Sequence, residues 1–391
     1  MKSMLFTAAI LFVVVGCGGA SDSTPVQENQ SDTPVSPPTT PTSVCDNNQV
    51  QVNWTALMQQ DCPNLSDYGL FIDPTKPTES PQTPGISYQL STELFSNYAS
   101  KYRFVFLPDN SQITFNPTEV FALPVGTVLV KTFALPNDTQ LNGPDNERNI
   151  ETRLLIHRET GWEALVYQWD EQEQTASLNI TGSAINHTLI SQGQSLNFDY
   201  QIPSKVECKV CHQSVTATTN RIIPIGLKAH LLNTPILTQT SSINQLTHWQ
   251  QQGWLAGLPA IAQVAQSFAI DDETQTLTAR AKGYLDVNCA HCHSEEGFAS
   301  LSGLRLGFDV DHTTFEYGIC KQPPGWDGGP DGLAYDIVPG NGERSIVHNR
   351  QILSSAKDRM PPIGREIIHY EGVELVKRWI DSLPPSLGLC Q

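Results

Sequence analysis

Two stretches of the 391-residue chain repeat one pattern, Cys208-Lys-Val-Cys211-His212 and Cys289-Ala-His-Cys292-His293. Two residues between the cysteines let both sulfurs reach a bound group from one helical turn, while the following histidine points at its centre. This is the spacing of covalent haem c attachment. The thiols add across the two vinyl groups, and the histidine becomes the proximal iron ligand. Zinc is the main rival for a Cys-x-x-Cys pair, but here each pair is followed at once by histidine. A thioredoxin-like redox pair needs a βαβ setting that these flanks lack. The pattern therefore implies two haems, one held by Cys208, Cys211 and His212 and the other by Cys289, Cys292 and His293. His291 is a spacer inside the second motif.

A haem that only carries electrons takes a second axial ligand. The chain has four methionines, Met1, Met4, Met58 and Met360. Met360 lies between the second motif and the last helical pattern and is followed by Pro361-Pro362. Two prolines stiffen such a loop, so the thioether reaches the iron with little loss of chain entropy. Met360 is the expected sixth ligand of the second haem, and a thioether there raises the potential. The first haem has no such neighbour. Its sixth position is left open among His230, His248, Met58 and no protein ligand at all.

The segments that must position these groups differ along the chain. Thr278 to Asp286 has good helix formers and runs straight into Cys289. Glu371 to Leu383 places Val373, Val376, Ile380 and Leu383 on one face, with Trp379 alongside and Pro384-Pro385 beyond. From about 63 to 205 the pattern changes to short β-branched and aromatic runs: 102–106, 127–131, 153–156, 163–167 and 197–200. Turn signals separate them at Pro108-Asp-Asn110, Asn142-Gly-Pro144 and Gln192-Gly-Gln194. Such runs predict an antiparallel sandwich-like domain. His157 and His187 sit among them as structural histidines, and nothing in this stretch forms a catalytic constellation.

Nine cysteines are present. Four belong to the motifs. Cys17 follows Leu5–Val15, an apolar run too short to span a bilayer, and Gly16, as in a lipoprotein signal. Diacylation of Cys17 would anchor the chain firmly, and Gly18 after it points to the outer membrane. Residues 18–44 are Ser, Thr, Pro, Asp and Gln with little apolar content, a tether that cannot bury a core. The remaining four cysteines pair as Cys45–Cys62 and Cys320–Cys390 if each bridge stays within one segment, as an oxidising compartment permits. Lys and Arg number 23 against 40 Asp and Glu, a net charge of −17. That balance excludes nucleic acid and anionic membrane surfaces as charge-driven partners.

Residues 276–391 resemble a class I cytochrome c: a helix entering Cys-x-x-Cys-His, the stretch Ile337-Val-Pro-Gly-Asn341, the Met360-Pro-Pro362 loop and a last helix. Over about 85–391 the chain is similar to a bacterial family of dihaem c-type cytochromes, often lipoproteins encoded beside a parallel β-helix protein. The likeness is carried by Glu151-Thr-Arg-Leu-Leu155 with Gly161-Trp162, Leu227 to Asn233, Asn244-Gln-Leu246, Tyr284 to His293, Tyr317-Gly-Ile-Cys-Lys321 and Met360-Pro-Pro362. It implies electron transfer, with a redox protein as partner: a dehydrogenase or the β-helix protein. The expected organisation is a signal peptide (1–16), a linker (17–44), a β-rich domain (45–205), a first haem-binding segment (206–275) and a class I cytochrome c-like domain (276–391). The expected fold class is thus an all-β sandwich-like domain followed by mostly α-helical haem domains. Two other functions fit the same residues. One is a dihaem peroxidase-like enzyme with a five-coordinate first haem, and the other is a β-domain binding module with a haem relay.

Overall fold

The computed structural model describes residues 43–46, 51–141, 143–238 and 241–390. The expected signal peptide, the lipidation candidate Cys17 and the tether up to residue 42 lie outside the described residues. After a short helix α1 (Trp54–Gln59) comes a six-stranded antiparallel meander. Its strands are β1 (Ile86–Ser87), β2 (Ser100–Phe106), β3 (Val128–Pro136), β4 (Glu147–Arg158), β5 (Gly161–Trp169) and β6 (Ala176–Leu178), in that spatial order.

Strand β3 is a near-continuous apolar run, as suits a sheet covered on both faces. On one face Phe104, Phe106, Val128, Val130, Leu154, Ile156 and Tyr167 pack against Ala56 and Leu57 of α1 and against Cys45 and Cys62, which are disulfide-bonded. The other face is covered from two ends. At one end Val105 and Leu129 meet Leu227, Leu246 and Trp249. At the other end Phe133, Leu135, Ile150 and Val166 meet Leu189, Phe198, Tyr200 and Ile202. These last four come from the hairpin β7 (Ser183–Ser191) and β8 (Gln194–Ile202). Its strands alternate buried and exposed along their paired part, and its two-residue turn has positive φ at both Gln192 (51°) and Gly193 (76°). That conformation suits the right-handed twist of a tight hairpin.

The expectation of mostly α-helical haem domains after residue 205 is overturned. The helices there are α2 (Cys208–His212), α3 (Ala229–Leu232), α4 (Gln245–Gln251), α5 (Leu277–Leu285), α6 (Ile346–Ile352) and α7 (Tyr370–Ser382). Only α5 and α7 exceed seven residues among them. Between them lie loops and three-residue hairpins, 213–215 with 220–222 and 235–237 with 242–244. Sheet, not helix, is the organising element of the molecule. The reason is compositional: 323–340 alone carries Pro323, Pro324, Gly325, Gly328, Gly329, Pro330, Gly332, Pro339 and Gly340. Proline lacks a helical N–H and glycine loses most entropy on ordering.

The two longer helices follow their patterns. Thr276 caps α5 by accepting from Ala279 N–H at 3.2 Å. α7 buries Leu375, Val376, Trp379 and Ile380 against Ala281, Tyr284 and Leu285 of α5. Gly372 makes that approach possible, since a Cβ there would stand 2.4 Å from the Tyr284 ring. Cys320 and Cys390 are disulfide-bonded beside this core. Residues 255–256 pair in parallel with 113–114, so the later chain returns to the flank of the sheet, and Ser43–Gln391 forms one compact unit.

Candidate functional site

The first motif is a single helical turn, α2, with Cys208 buried and Cys211 half-buried. The hairpin that follows folds straight back, so His212 and Ile223 exchange two bonds. His212 Nδ1–H donates to Ile223 O at 2.8 Å, and Ile223 N–H donates to His212 O at 2.8 Å. Binding a histidine by Nδ1 to a backbone carbonyl fixes the tautomer that leaves Nε2 for a metal. Burial holds the imidazole down to about 4, against a weaker pull from Cys211, so it is neutral near pH 7, as a ligand must be.

The second motif hangs from α5, which continues as a π-helical turn, Asp286–Ala290, containing Cys289. Such turns recur at functional sites. His293 pairs through Nδ1 with Ser302 Oγ at 3.1 Å, and Ser302 is tied by its carbonyl to Lys321 Nζ at 2.6 Å. Burial also brings His293 to about 4. Burial lifts Cys289 to about 12.

Met360 lines the same cavity as Cys289, Cys292 and His293, together with Pro361 and Pro362. The loop is held from both sides. Met360 N–H donates to Arg350 O at 2.8 Å, and Met360 O accepts from Arg365 Nε at 3.0 Å. The same guanidinium donates to Arg350 O and Leu353 O at 3.2 and 2.7 Å. This cavity has about 280 Å³ open to the centre of a water molecule, and Leu304, Leu306, Ile346 and Trp326 help to line it.

A second cavity, about 320 Å³ on the same measure, is lined by Cys208, Cys211 and His212 and floored by β2, β3 and β4. Cys211, Asn288, His291, Pro361 and Ile363 line both cavities. The two motifs therefore stand back to back, joined by Cys292 Sγ donating to Val210 O at 3.2 Å. A Cys292 hydrogen bond draws the Cys211 thiol well below its usual range, and the same bond pushes Cys292 up. Their flanks are joined as well: Val215 N–H donates to Glu296 O at 2.8 Å, and Ser214 Oγ donates to Glu296 at 2.5 Å.

The donor set fits covalently held haem. Each cavity offers the two free thiols and the neutral imidazole of its own motif, with Cys211 and His291 shared between them, and one adds the Met360 thioether. Among the described residues no three His, Cys, Asp or Glu side chains converge as a metal cage. A second observation agrees. Residues lining the cavities carry buried polar atoms without hydrogen-bond partners: Trp326 Nε1 in the second motif's, Arg103 Nη2, Arg359 Nε and Glu366 Oε1 in the first motif's, and His291 Nδ1 in the wall of both.

The residues considered for the first haem's sixth position lie elsewhere. His230, 3% exposed, shares Asp286 Oδ2 at 3.0 Å and stacks on Phe308. His248 lies edge-on to Trp254 on α4, and Met58 packs under the sheet. None of the three lines either cavity. His157 is bonded to Leu123 and Pro124 carbonyls and His187 to Pro136 O, both structural.

Sequence reasoning passed over His291, treated as a spacer, and Arg103, Lys131 and Arg153 on the cavity floor. A signal was present for Lys131, the lone charge in the apolar strand Val128–Pro136; Arg103 and Arg153 share their strands with other basic residues. Compared with protein-family models, curated proteins and solved structures, the chain matches none.

Proposed function

We propose that this chain is a dihaem c-type electron carrier of the bacterial envelope, tethered through a lipidated Cys17. One observation carries the reading: two Cys-x-x-Cys-His turns stand back to back on cavities that share a wall. Haem c, when bound, supplies one-electron redox chemistry at iron. Cys208 and Cys211 hold one group and Cys289 and Cys292 the other. His212 and His293 would ligate the two irons; Ile223 O fixes the His212 tautomer, and Ser302 Oγ orients the His293 ring. Met360, placed by Arg350 and Arg365, would offer its thioether to the second. Leu304, Leu306 and Ile346 in the second motif's cavity favour the less charged state of a group held there. Cys211 and His291, on both walls, bring the two redox centres close, which suits passage of an electron rather than turnover of a bulky substrate. The partner is a redox protein, a dehydrogenase being the candidate class.

EPR and absorbance of the oxidised protein test this. Two low-spin haems, neither consuming peroxide, are expected. A high-spin first haem with peroxide turnover would replace the carrier by a peroxidase-like enzyme.

A further inference from the structure

The face of the sheet turned to the first cavity carries three cations side by side. Arg103 stands opposite Lys131, and Lys131 opposite Arg153. All three line the cavity that holds Cys208, Cys211 and His212. Like charges directly opposite in a sheet repel, and here they are covered in a chain whose net charge is −17.

The two ends of the row are answered and the middle is not. Glu151, fully buried, accepts two bonds from Arg153 at 2.5 and 2.8 Å and one from Tyr200 Oη at 2.7 Å. Glu93 accepts from Arg103 Nη1 at 3.1 Å. Lys131 lies over the Phe133 ring, 4.8 Å from its centre, and among the described residues no carboxylate forms an ion pair with it. Arg103 is 4% exposed, yet its Nη2 has no partner; nor has Arg359 Nε in the same cavity. Glu207 and Glu366 also line this cavity, and Glu366 lies 3.8 Å from Arg359. An ammonium buried without an ion-pair partner at Lys131 is costly all the same, so the sheet face of the cavity suits an occupant that brings negative charge.

The row also has a direction. Its Arg153 end acts electrostatically on the Cys208 thiol. Two interstrand spacings, about 10 Å, separate that strand from Arg103. A haem joined to protein by its vinyl edge carries two propionate carboxylates on the opposite edge, a ring width away.

We propose that Arg103 and Lys131 form a carboxylate-binding end of this cavity that receives the propionates of the haem attached at Cys208 and Cys211. The inference rests on the dihaem reading. Burial, then Arg103, Lys101 and Arg153, push the Lys131 ammonium well below its ordinary range; a carboxylate beside it restores the proton and the charge.

The test uses the mature holoprotein, Lys131→Met and the charge-keeping control Lys131→Arg. Mass counts haems per chain, EPR reports ligation, and a spectroscopic redox titration follows each haem. Lys131→Met should keep two haems and both EPR signatures. Reduction of the first haem should become about tenfold less favourable, the effect of one unit charge roughly 10 Å away at an effective dielectric near 20. The second haem should not move, and Lys131→Arg should stay near wild type. If Lys131→Met does not accumulate, Arg103→Gln carries the same expectation. An unshifted first haem overturns the proposal. So does a switch of that haem to high spin, which would make Lys131 an iron ligand. A wild-type chain with no haem on Cys208 and Cys211 is a separate failure, that of the dihaem reading, and mass alone detects it.

Discussion

Asp286→Asn removes the carboxylate that ties the two motif segments together. Asp286 opens the turn that carries Cys289, and its side chain is 1% exposed. Its oxygens accept from Lys228 Nζ at 2.9 Å, His230 Nε2 at 3.0 Å and Phe308 N–H at 3.1 Å. Burial alone would raise this carboxyl, but Lys228 and His230 pull it well below the ordinary aspartate range. Removing one member of a buried ion pair costs about 3–5 kcal/mol. Lys228 keeps 16% exposure, so the lower end applies, about 3 kcal/mol. In thermal terms that is a fall of about 4 °C for a unit of this size. The pH dependence has a definite sign. A depressed folded-state carboxyl stabilises above its unfolded value, and that stability is lost as pH falls through the folded one. Urea unfolding of the holoprotein should therefore show wild type and Asp286→Asn separated by a constant gap from pH 5 to 7. The gap should close progressively below the ordinary aspartate value of 3.8. Equal stability at pH 7, or a gap that widens in acid, would refute the buried-pair argument.

Met360→Ala should lower the second haem's potential by on the order of 0.1 V, within the roughly 0.8 V range that axial ligands span. It should also open that haem to carbon monoxide and leave the first unchanged, whereas Met360→His should keep it low-spin; redox titration with carbon monoxide difference spectra reads all three. Replacing Cys320 and Cys390 together by serine releases a loop of 70 residues and should cost about 4 kcal/mol on the chain-entropy account. The urea midpoint of the variant, which keeps the Cys45–Cys62 bridge, should fall below that of the oxidised wild type, and an unchanged midpoint would contradict a stabilising bridge.

Local patterns were legible before the structure. Cys-x-x-Cys-His is contained in five residues, and each copy forms one turn. Met360 stood out through the scarcity of methionine and its two prolines, and it lines the cavity of His293. The strands of the sheet were visible as apolar runs, and α7 as a 3.6 period. What was hidden depends on register and return of the chain. No spacing shows that Val210 meets Cys292 or that His230 is held by Asp286, 56 residues away. Lys131 looks like one interrupting charge, and only strand pairing sets it in a row with Arg103 and Arg153. The helical expectation for 206–391 failed because it came from likeness to a cytochrome and not from periodicity, in a stretch crowded with Pro and Gly.

The most direct test of the central claim is the mass of the intact, denatured and acid-treated chain, followed by peptide mapping. Two haems per chain are expected, one on the peptide containing Cys208 and Cys211 and one on that containing Cys289 and Cys292. Four unmodified thiols on a chain matured in a host that attaches haem c would contradict the claim.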